Sequence, residues 1–224
     1  FSDIGQDSIL KKYMYAVSTS SPISLVATEE ILEHDGKIVR RTNQYYDNLS
    51  QGSVLKGKLT KQEDWITNEV YATTKRSYDS TYGLLVLVTD PQSKTTQYTY
   101  DQHNLYPSKV INALGQETRY TYDYSSGQVY TSTDPNNNTV TNAYDGIGRL
   151  VKTEVADPSN ISNVTQAAWK YNDHQFPSNI HETRYLDSET LSSAHTYYDG
   201  FGRTIQSRSS LGDTYSVKDT VYNS

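Results

Sequence analysis

The sequence predicts an all-β fold of tandem antiparallel β-hairpins, and three observations support this prediction. Tyr-Asp pairs recur along the chain, and short segments rich in β-branched and aromatic residues alternate with clusters of Asp, Asn, Gly and Pro. The composition agrees, because only 34% of the residues are hydrophobic while 21 are Tyr. Tyrosine buries a large ring and keeps its hydroxyl in contact with water or a hydrogen-bond partner. Thin, half-solvated sheets therefore fit this chain better than one large apolar core.

The Tyr-Asp pairs mark a repeat with a regular period. They are Tyr46-Asp47, Tyr78-Asp79, Tyr100-Asp101, Tyr122-Asp123, Tyr144-Asp145 and Tyr198-Asp199, with Tyr171-Asn172 and Tyr222-Asn223 as near copies. Successive tyrosines are 22 residues apart from Tyr78 to Tyr144, and 27 residues apart from Tyr144 through Tyr171 to Tyr198. A dipeptide that recurred by chance would not keep such a period, so each interval is interpreted as one structural unit.

Each unit contains the signals for two strands and two turns. Residues 95–100 (TTQYTY) are β-branched and aromatic with a period of two, which predicts a strand. The following Asp-x-x-Gly or Asp-Gly-x-Gly tolerates positive φ and predicts a turn. Residues 150–155 predict a second strand, and Asp-Pro with nearby Asn or Gly predicts the next turn. Repetition predicts an up-and-down antiparallel ribbon, in which neighbouring hairpins supply the burial that one hairpin lacks.

Three segments are predicted along the chain. Residues 1–45 form a leading β-hairpin segment, in which residues 26–32 and 37–42 flank the turn signal His34-Asp35-Gly36. Residues 46–77 form an irregular first repeat with an insertion. Residues 78–224 form the regular repeats of 22–27 residues.

The repeated residues are predicted to have structural roles. Tyrosine rings pair across neighbouring strands, and aspartate side chains accept hydrogen bonds from backbone N–H groups in the turns. Because the pair recurs in nearly every unit, a structural role is favoured over a binding site, which usually departs from its repeat. The residues assigned to the repeat motif are Tyr46, Asp47, Tyr78, Asp79, Tyr100, Asp101, Tyr122, Asp123, Tyr144, Asp145, Gly148, Arg149, Tyr171, Tyr198, Asp199, Gly202 and Arg203.

The pattern Tyr-Asp-x-x-Gly-Arg, with Thr-Asp-Pro and Tyr-Thr-Tyr-Asp between its copies, resembles the Rhs/YD-repeat family. Residues 45–49 (YYDNL) and 57–61 (GKLTK) are similar to the part of the B subunits of bacterial insecticidal toxin complexes that leads into their repeats. The resemblance covers roughly residues 26–224. The family's self-cleaving Asp-Pro-x-Gly core has no counterpart here, because Asp90-Pro91, Asp134-Pro135 and Asp157-Pro158 lack that glycine and are predicted to lie in repeat turns.

The resemblance implies that the hairpins form a curved or spiral sheet that is part of a hollow shell. In such proteins the shell holds a toxin polypeptide until delivery. The implied partners are therefore the remaining shell segments of a longer parent protein, an enclosed toxin polypeptide and other toxin-complex subunits, and the implied location is secreted or extracellular. The alternative is an extracellular adhesion or carbohydrate-binding β-repeat module, which an exposed aromatic cluster confined to one or two units would favour.

Composition and local motifs argue against several other functions. The net charge of −6 and the scattered basic residues disfavour nucleic-acid binding, and no apolar run reaches the length of a membrane helix. Residues 181–185 (HETRY) begin like a zinc-protease motif, but Tyr185 stands where the second histidine is needed. Residues 134–145 place oxygen side chains like a calcium loop, but Thr139 stands where glycine is required. We therefore predict no enzymatic activity, no cofactor and no catalytic or metal-binding residue.

Overall fold

The computed structural model describes residues 9–156, 163–185, 191–211 and 214–222, and their secondary structure consists of β-strands without any helix. The strands are β1 (Leu10–Val17), β2 (Ser24–Leu32), β3 (Ile38–Tyr46), β4 (Leu59–Thr67), β5 (Val70–Tyr78), β6 (Leu85–Thr89), β7 (Thr95–Tyr100), β8 (Pro107–Ile111), β9 (Glu117–Asp123), β10 (Gln128–Thr133), β11 (Thr139–Tyr144), β12 (Leu150–Ala156), β13 (Asn163–Asn172), β14 (Ser178–Tyr185), β15 (Leu191–Tyr198), β16 (Thr204–Leu211) and β17 (Thr214–Asp219). None of these described residues belongs to a helix that is long and apolar enough to cross a membrane. The predicted all-β fold class is confirmed.

The chain divides into two compact units, the first ending at Gln116 and the second beginning at Glu117. In the first unit, each strand from β1 to β7 pairs with the next strand in antiparallel orientation. In the second unit, the same holds for each strand from β9 to β16. Each unit is therefore a series of hairpins in chain order, and the predicted tandem antiparallel arrangement is confirmed.

Many of the turns share one five-residue geometry. In the turn from Asp145 to Arg149, the N–H of Asp145 donates to the carbonyl of Arg149 (2.9 Å), and the N–H of Gly148 donates to the carbonyl of Asp145 (3.0 Å). Gly148 has a φ of 84°, so this position favours glycine or asparagine. The same two backbone bonds close the turns at residues 33–37, 90–94, 112–116, 134–138 and 199–203. Asp90-Pro91 and Asp134-Pro135 thus lie in turns, whereas Asp157-Pro158 lies outside the described residues.

The buried apolar core is small. In the first unit, Ala16, Ala27, Tyr46 and Val54 form a buried cluster, against which a few partly buried side chains pack. Most other strand residues of the described chain are half-buried or exposed. This burial pattern agrees with the thin sheets that the tyrosine-rich composition predicts.

A polar network lies beside this core. Thr28 is 2% exposed, and its hydroxyl donates to the side-chain oxygen of Asn43 (3.1 Å). The side-chain amide of Gln51 donates to both Thr28 Oγ1 (2.7 Å) and Asn43 Oδ1 (3.0 Å). Because Gln51 belongs to the connection between β3 and β4, the network ties that connection to β2 and β3.

Candidate functional site

The candidate site is the Tyr-Asp turn, which the structure repeats along both units. The tyrosines of the motif lie at the ends of strands: Tyr46, Tyr78, Tyr100, Tyr144 and Tyr198 end β3, β5, β7, β11 and β15, while Tyr122 and Tyr171 are the last but one residues of β9 and β13. The aspartates follow immediately, and Gly148, Arg149, Gly202 and Arg203 lie in the turn or at its close. The motif residues therefore lie where strand passes into turn.

The aspartate carboxylate fixes the turn from inside. Asp145 Oδ1 accepts hydrogen bonds from the N–H groups of Ile147 (3.1 Å) and Arg149 (2.9 Å). The pKa of Asp145 is lowered, chiefly because the backbone N–H of Arg149 donates to the charged carboxylate. The same two acceptor bonds, to the second and fourth residues after the side chain, occur at Asp90, Asp101, Asn112, Asp134 and Asp199.

Asp47 holds a larger turn than the other aspartates do. Its Oδ2 accepts the N–H groups of Leu55 (2.8 Å), Lys56 (2.8 Å) and Gly57 (3.0 Å), and its Oδ1 accepts the N–H of Lys58 (3.0 Å). Burial alone would raise the pKa of Asp47, but these four backbone donors outweigh burial and lower it. One carboxylate thus closes the connection from β3 to β4, at the predicted insertion.

Tyrosine hydroxyls connect several repeats to the one before. Tyr78 donates to the carbonyl of Leu59 (2.9 Å), and Leu59 is the residue that pairs with Tyr46. Tyr100 in turn donates to the carbonyl of Leu85 (3.1 Å), which pairs with Tyr78. The equivalent bonds run from Tyr144 to Val129 (2.7 Å), from Tyr171 to Leu150 (2.9 Å) and from Tyr222 to Thr204 (2.9 Å). Each of these bonds spans a strand pair and ends next to the preceding Tyr-Asp turn.

The arginine of the Tyr-Asp-Gly-x-Gly-Arg motif provides a second connection. Arg149 Nε pairs with Asp145 Oδ2 (2.7 Å), and its Nη1 pairs with Asp173 Oδ2 (2.7 Å). The guanidinium lies over the ring of Tyr171, with 4.0 Å between Cζ and the ring centroid. Arg203 is placed equivalently, 2.7 Å from Asp199 and 4.6 Å from the ring centroid of Tyr222. The arginine therefore joins its own turn to the tyrosine of the next repeat.

The two motifs that resemble metal sites have other roles in the structure. The carboxylate of Asp134 accepts the N–H groups of Asn136 and Asn138 (both 2.8 Å), so it caps a repeat turn. His181 lies in β14, where the sequence predicts a strand, and its ring stacks on that of His195 in β15. Among the described residues, no group of three or more His, Cys, Asp or Glu side chains is arranged to hold a metal ion.

An aromatic pocket lies beside the Tyr122-Asp123 turn. It has a volume of about 450 Å³ and is lined by Tyr122, Asp123, Tyr124, Tyr130, Asn142, Ala143 and Tyr144. Tyr124 and Tyr130 are 49% and 50% exposed. In the sequence, Tyr124 directly follows a Tyr-Asp pair, at a position where the other units carry Ser, Gln, Gly, Asn or Asp. The pocket therefore combines motif residues with aromatic side chains that belong to this unit.

Several partners of the motif residues were not predicted from the sequence. The acceptors of the tyrosine hydroxyls are backbone carbonyls, which leave no residue-type signal. Asp173 follows the near copy Tyr171-Asn172 and pairs with Arg149, which closes the preceding Tyr-Asp turn. The His181–His195 stack depends on the register of β14 and β15. The sequence could have suggested the histidine pair only if that register had been known.

Comparison with known proteins identifies the fold. No family model matches the chain, and no curated protein matches it by sequence. A solved structure described as "Crystal Structure of TcdB2-TccC3" is similar, with a TM-score of 0.70 at 10% identity over 93% of this chain and 16% of that chain. A second, "Crystal Structure of TcdB2-TccC3-Cdc42", has a TM-score of 0.55 at 15% identity over 89% of this chain and 12% of that chain.

A third similar structure is a Photorhabdus luminescens Tc holotoxin pore with a TccC3 variant, at 14% identity over 94% of this chain and 14% of that chain. Its TM-score is 0.47, whereas the first two structures share the fold with TM-scores above 0.5. This chain spans less than a fifth of the length of the first structure's chain. The all-β hairpin fold of this chain is thus the fold of a part of the TcdB2-TccC3 chain.

Proposed function

We propose that the chain is a structural wall segment of a YD-repeat shell, which encloses and protects a toxin polypeptide before delivery. The observation that carries this proposal is the similarity to TcdB2-TccC3, with a TM-score of 0.70 over 93% of this chain. TccC3 is also named in the structure of a Tc holotoxin pore. In this role the chain works by confinement and has no catalytic activity, and it belongs to a secreted assembly with other toxin-complex subunits.

The repeat contacts explain how such a wall would resist opening. The aspartates fix their own turns, whereas the hydroxyls of Tyr78, Tyr100, Tyr144, Tyr171 and Tyr222 and the arginines Arg149 and Arg203 connect neighbouring repeats. A local opening would therefore break bonds in two repeats at once, which favours cooperative behaviour along the ladder. The tyrosine-rich faces also suit contact with water on both sides of a thin sheet.

The first and last described strands suit a chain that is continued by other segments. In the described residues, β1 forms a ladder only with β2, and β17 only with β16. Both strands carry exposed apolar side chains, such as Met14 (44%) and Tyr215 (80%). Unpaired strand edges with apolar side chains tend to associate with further strands. We infer that the remaining shell segments of a longer parent cover these edges.

Limited proteolysis with mass spectrometry tests the proposal, applied to this chain and to the longer parent that contains it. We expect the parent to resist protease and to shelter an internal polypeptide, whereas this chain alone is cut or self-associates at its edges. A parent in which every segment is cut at the same rate would contradict enclosure. A monomeric and fully resistant isolated chain would also contradict the wall role, because it would be an autonomous domain.

A second candidate function, glycan binding, is favoured by the aromatic pocket alone. Tyr124 and Tyr130 each present about half of their surface to solvent beside Asp123 and Asn142. Exposed tyrosine rings beside polar side chains can stack on sugar rings and hydrogen-bond to hydroxyl groups. A glycan array probed with the chain and with a Tyr130→Ser variant decides: binding that the variant loses supports this function, and no binding by either protein rejects it.

A further inference from the structure

Four basic side chains form a row across β13, β14, β15 and β16. Lys170 is directly opposite His181, His181 is directly opposite His195, and His195 is directly opposite Arg208. Directly opposite residues of antiparallel strands project from the same face, with Cβ atoms roughly 5 Å apart. Like charges at such positions oppose strand pairing. We call these four residues the basic row.

The two histidines at the centre of the row are stacked. Their ring centroids are 3.9 Å apart and their planes differ by 9°. His181 Nε2 also hydrogen-bonds to the hydroxyl of Ser193 (2.8 Å), which belongs to β15 as His195 does. Two neutral imidazoles can stack in this way, whereas two imidazolium ions at this distance repel each other. The stack is therefore a contact between β14 and β15 that depends on protonation.

Few negatively charged side chains near the basic row could compensate an added positive charge on its histidines. Lys170 and Arg208 stand at the two ends of the row, and Arg208 lies over the ring of Tyr197 at 5.1 Å. No carboxylate in the described part of the chain forms an ion pair with either histidine.

The carboxylates nearest along the same face already have partners. On β12, Glu154 pairs with Lys152 (2.9 Å), and on β17, Asp219 accepts a hydrogen bond from Gln206 (2.6 Å). On each histidine's own strand, the side chains two residues away lie on the same face and carry no charge at neutral pH. They include Thr183, Ser193 and Tyr197. Protonation of the stack therefore adds to the charges of Lys170 and Arg208.

We propose that the basic row is an acid-sensitive seam, at which protonation of His195, stacked on His181, loosens the pairing of β14 with β15. The pKa of His195 is lowered from its ordinary value of 6.5, first by burial and then by the charges of His181 and Arg208. The unfolded strands consequently bind more protons than the folded ones as the pH falls through that range, so stability falls with acidification. The seam belongs to this chain's own residues and does not depend on the wall function.

Hydrogen exchange of the full chain tests this proposal, measured near pH 7 and near pH 5.5 and corrected for intrinsic exchange rates. We expect the open fraction of the β14 and β15 amides to rise several-fold at the lower pH, since each unit of pKa lowering corresponds to about tenfold in the opening equilibrium. The β11–β12 amides provide an internal reference. A His195→Gln variant should lose most of this increase, whereas His174→Gln, at an exposed turn histidine outside the row, should behave like the unmodified chain.

Equal protection of β14 and β15 at both pH values would overturn the proposal, as would an equal increase in the two variants. Should His195→Gln fail to fold, an NMR titration of the unmodified chain still decides the question. A His195 pKa at or above 6.5 would overturn the proposal, and a lower value supports it.

Discussion

Asp47 offers the sharpest test of how the Tyr-Asp motif stabilises the fold. Its two carboxylate oxygens accept four backbone N–H groups from residues 55–58. The substitution Asp47→Asn keeps the shape of the side chain and suits the φ of 57° at this position, which asparagine adopts more readily than most residues. The variant loses the negative charge, however, and places an amide NH₂ where one acceptor oxygen stood. Backbone strain and side-chain volume thus change little, while the hydrogen bonds weaken.

The expected cost follows from the number and type of these bonds. A hydrogen bond to a charged acceptor contributes about 1 kcal/mol more than a bond to a neutral one. Three or four such bonds, discounted for partial exposure to solvent, correspond to a loss of roughly 2–3 kcal/mol in the free energy of unfolding. For a chain of this size, that loss lowers Tm by about 5–10 °C.

Urea unfolding followed by fluorescence measures this loss. Asp35→Asn is the matched control, because the carboxylate of Asp35 accepts a single backbone bond among the described residues, from Lys37 (2.9 Å), in an exposed turn. The difference in the free energy of unfolding between the unmodified chain and Asp47→Asn should be present at neutral pH. It should shrink as the pH falls through the lowered pKa of Asp47, because the carboxylate is then protonated. A loss no larger than that of Asp35→Asn, or a difference that does not change with pH, would refute this role for the carboxylate.

Three further predictions concern the contacts between repeats and the effect of alkaline pH. Tyr78→Phe removes the hydroxyl bond to the preceding repeat and should lower the free energy of unfolding by about 1 kcal/mol, whereas Tyr82→Phe, at a side chain 66% exposed, should have little effect in the same urea titration. Arg149→Lys should lower Tm in calorimetry more than Arg119→Lys does, because lysine cannot reproduce the two ion pairs and the ring contact of Arg149; equal shifts would contradict the connecting role. Tyr45 has a pKa raised to about 12, first by burial, so the folded state resists its ionisation and stability should fall as the pH rises from 10 towards 12. Tyr45→Phe should remove part of that fall, and an unchanged alkaline profile would contradict this explanation.

The sequence predicted the hairpins and the turns well, because both depend on local chemistry. The recurrence of Asp with Gly at a fixed spacing, as in Asp145 and Gly148, encodes the turn directly, since the carboxylate and the positive φ act within five residues. The alternation of residues 95–100 likewise predicts β7, which spans the same residues in the structure (Thr95–Tyr100). Local periodicity was sufficient for this level of structure.

The contacts between repeats could not be predicted in the same way. Tyr171 bonds to a carbonyl that lies 21 residues earlier in the chain, and any residue type could supply that carbonyl. The His181–His195 stack depends on the register between two strands, and a shift of one residue would turn the rings to opposite faces. The segment boundaries at 45/46 and 77/78 remain predictions. Long-range register, rather than local propensity, is what the sequence pattern leaves undetermined.

The central claim is that these hairpins form part of a closed wall around a polypeptide. Cryo-electron microscopy of the longer parent protein tests it most directly. We predict that this segment's ladder continues on both sides, through β1 and β17, into further antiparallel strands, and that the resulting shell surrounds density for a polypeptide that is not part of the wall. An open sheet with solvent on both faces and no enclosed polypeptide would contradict the account.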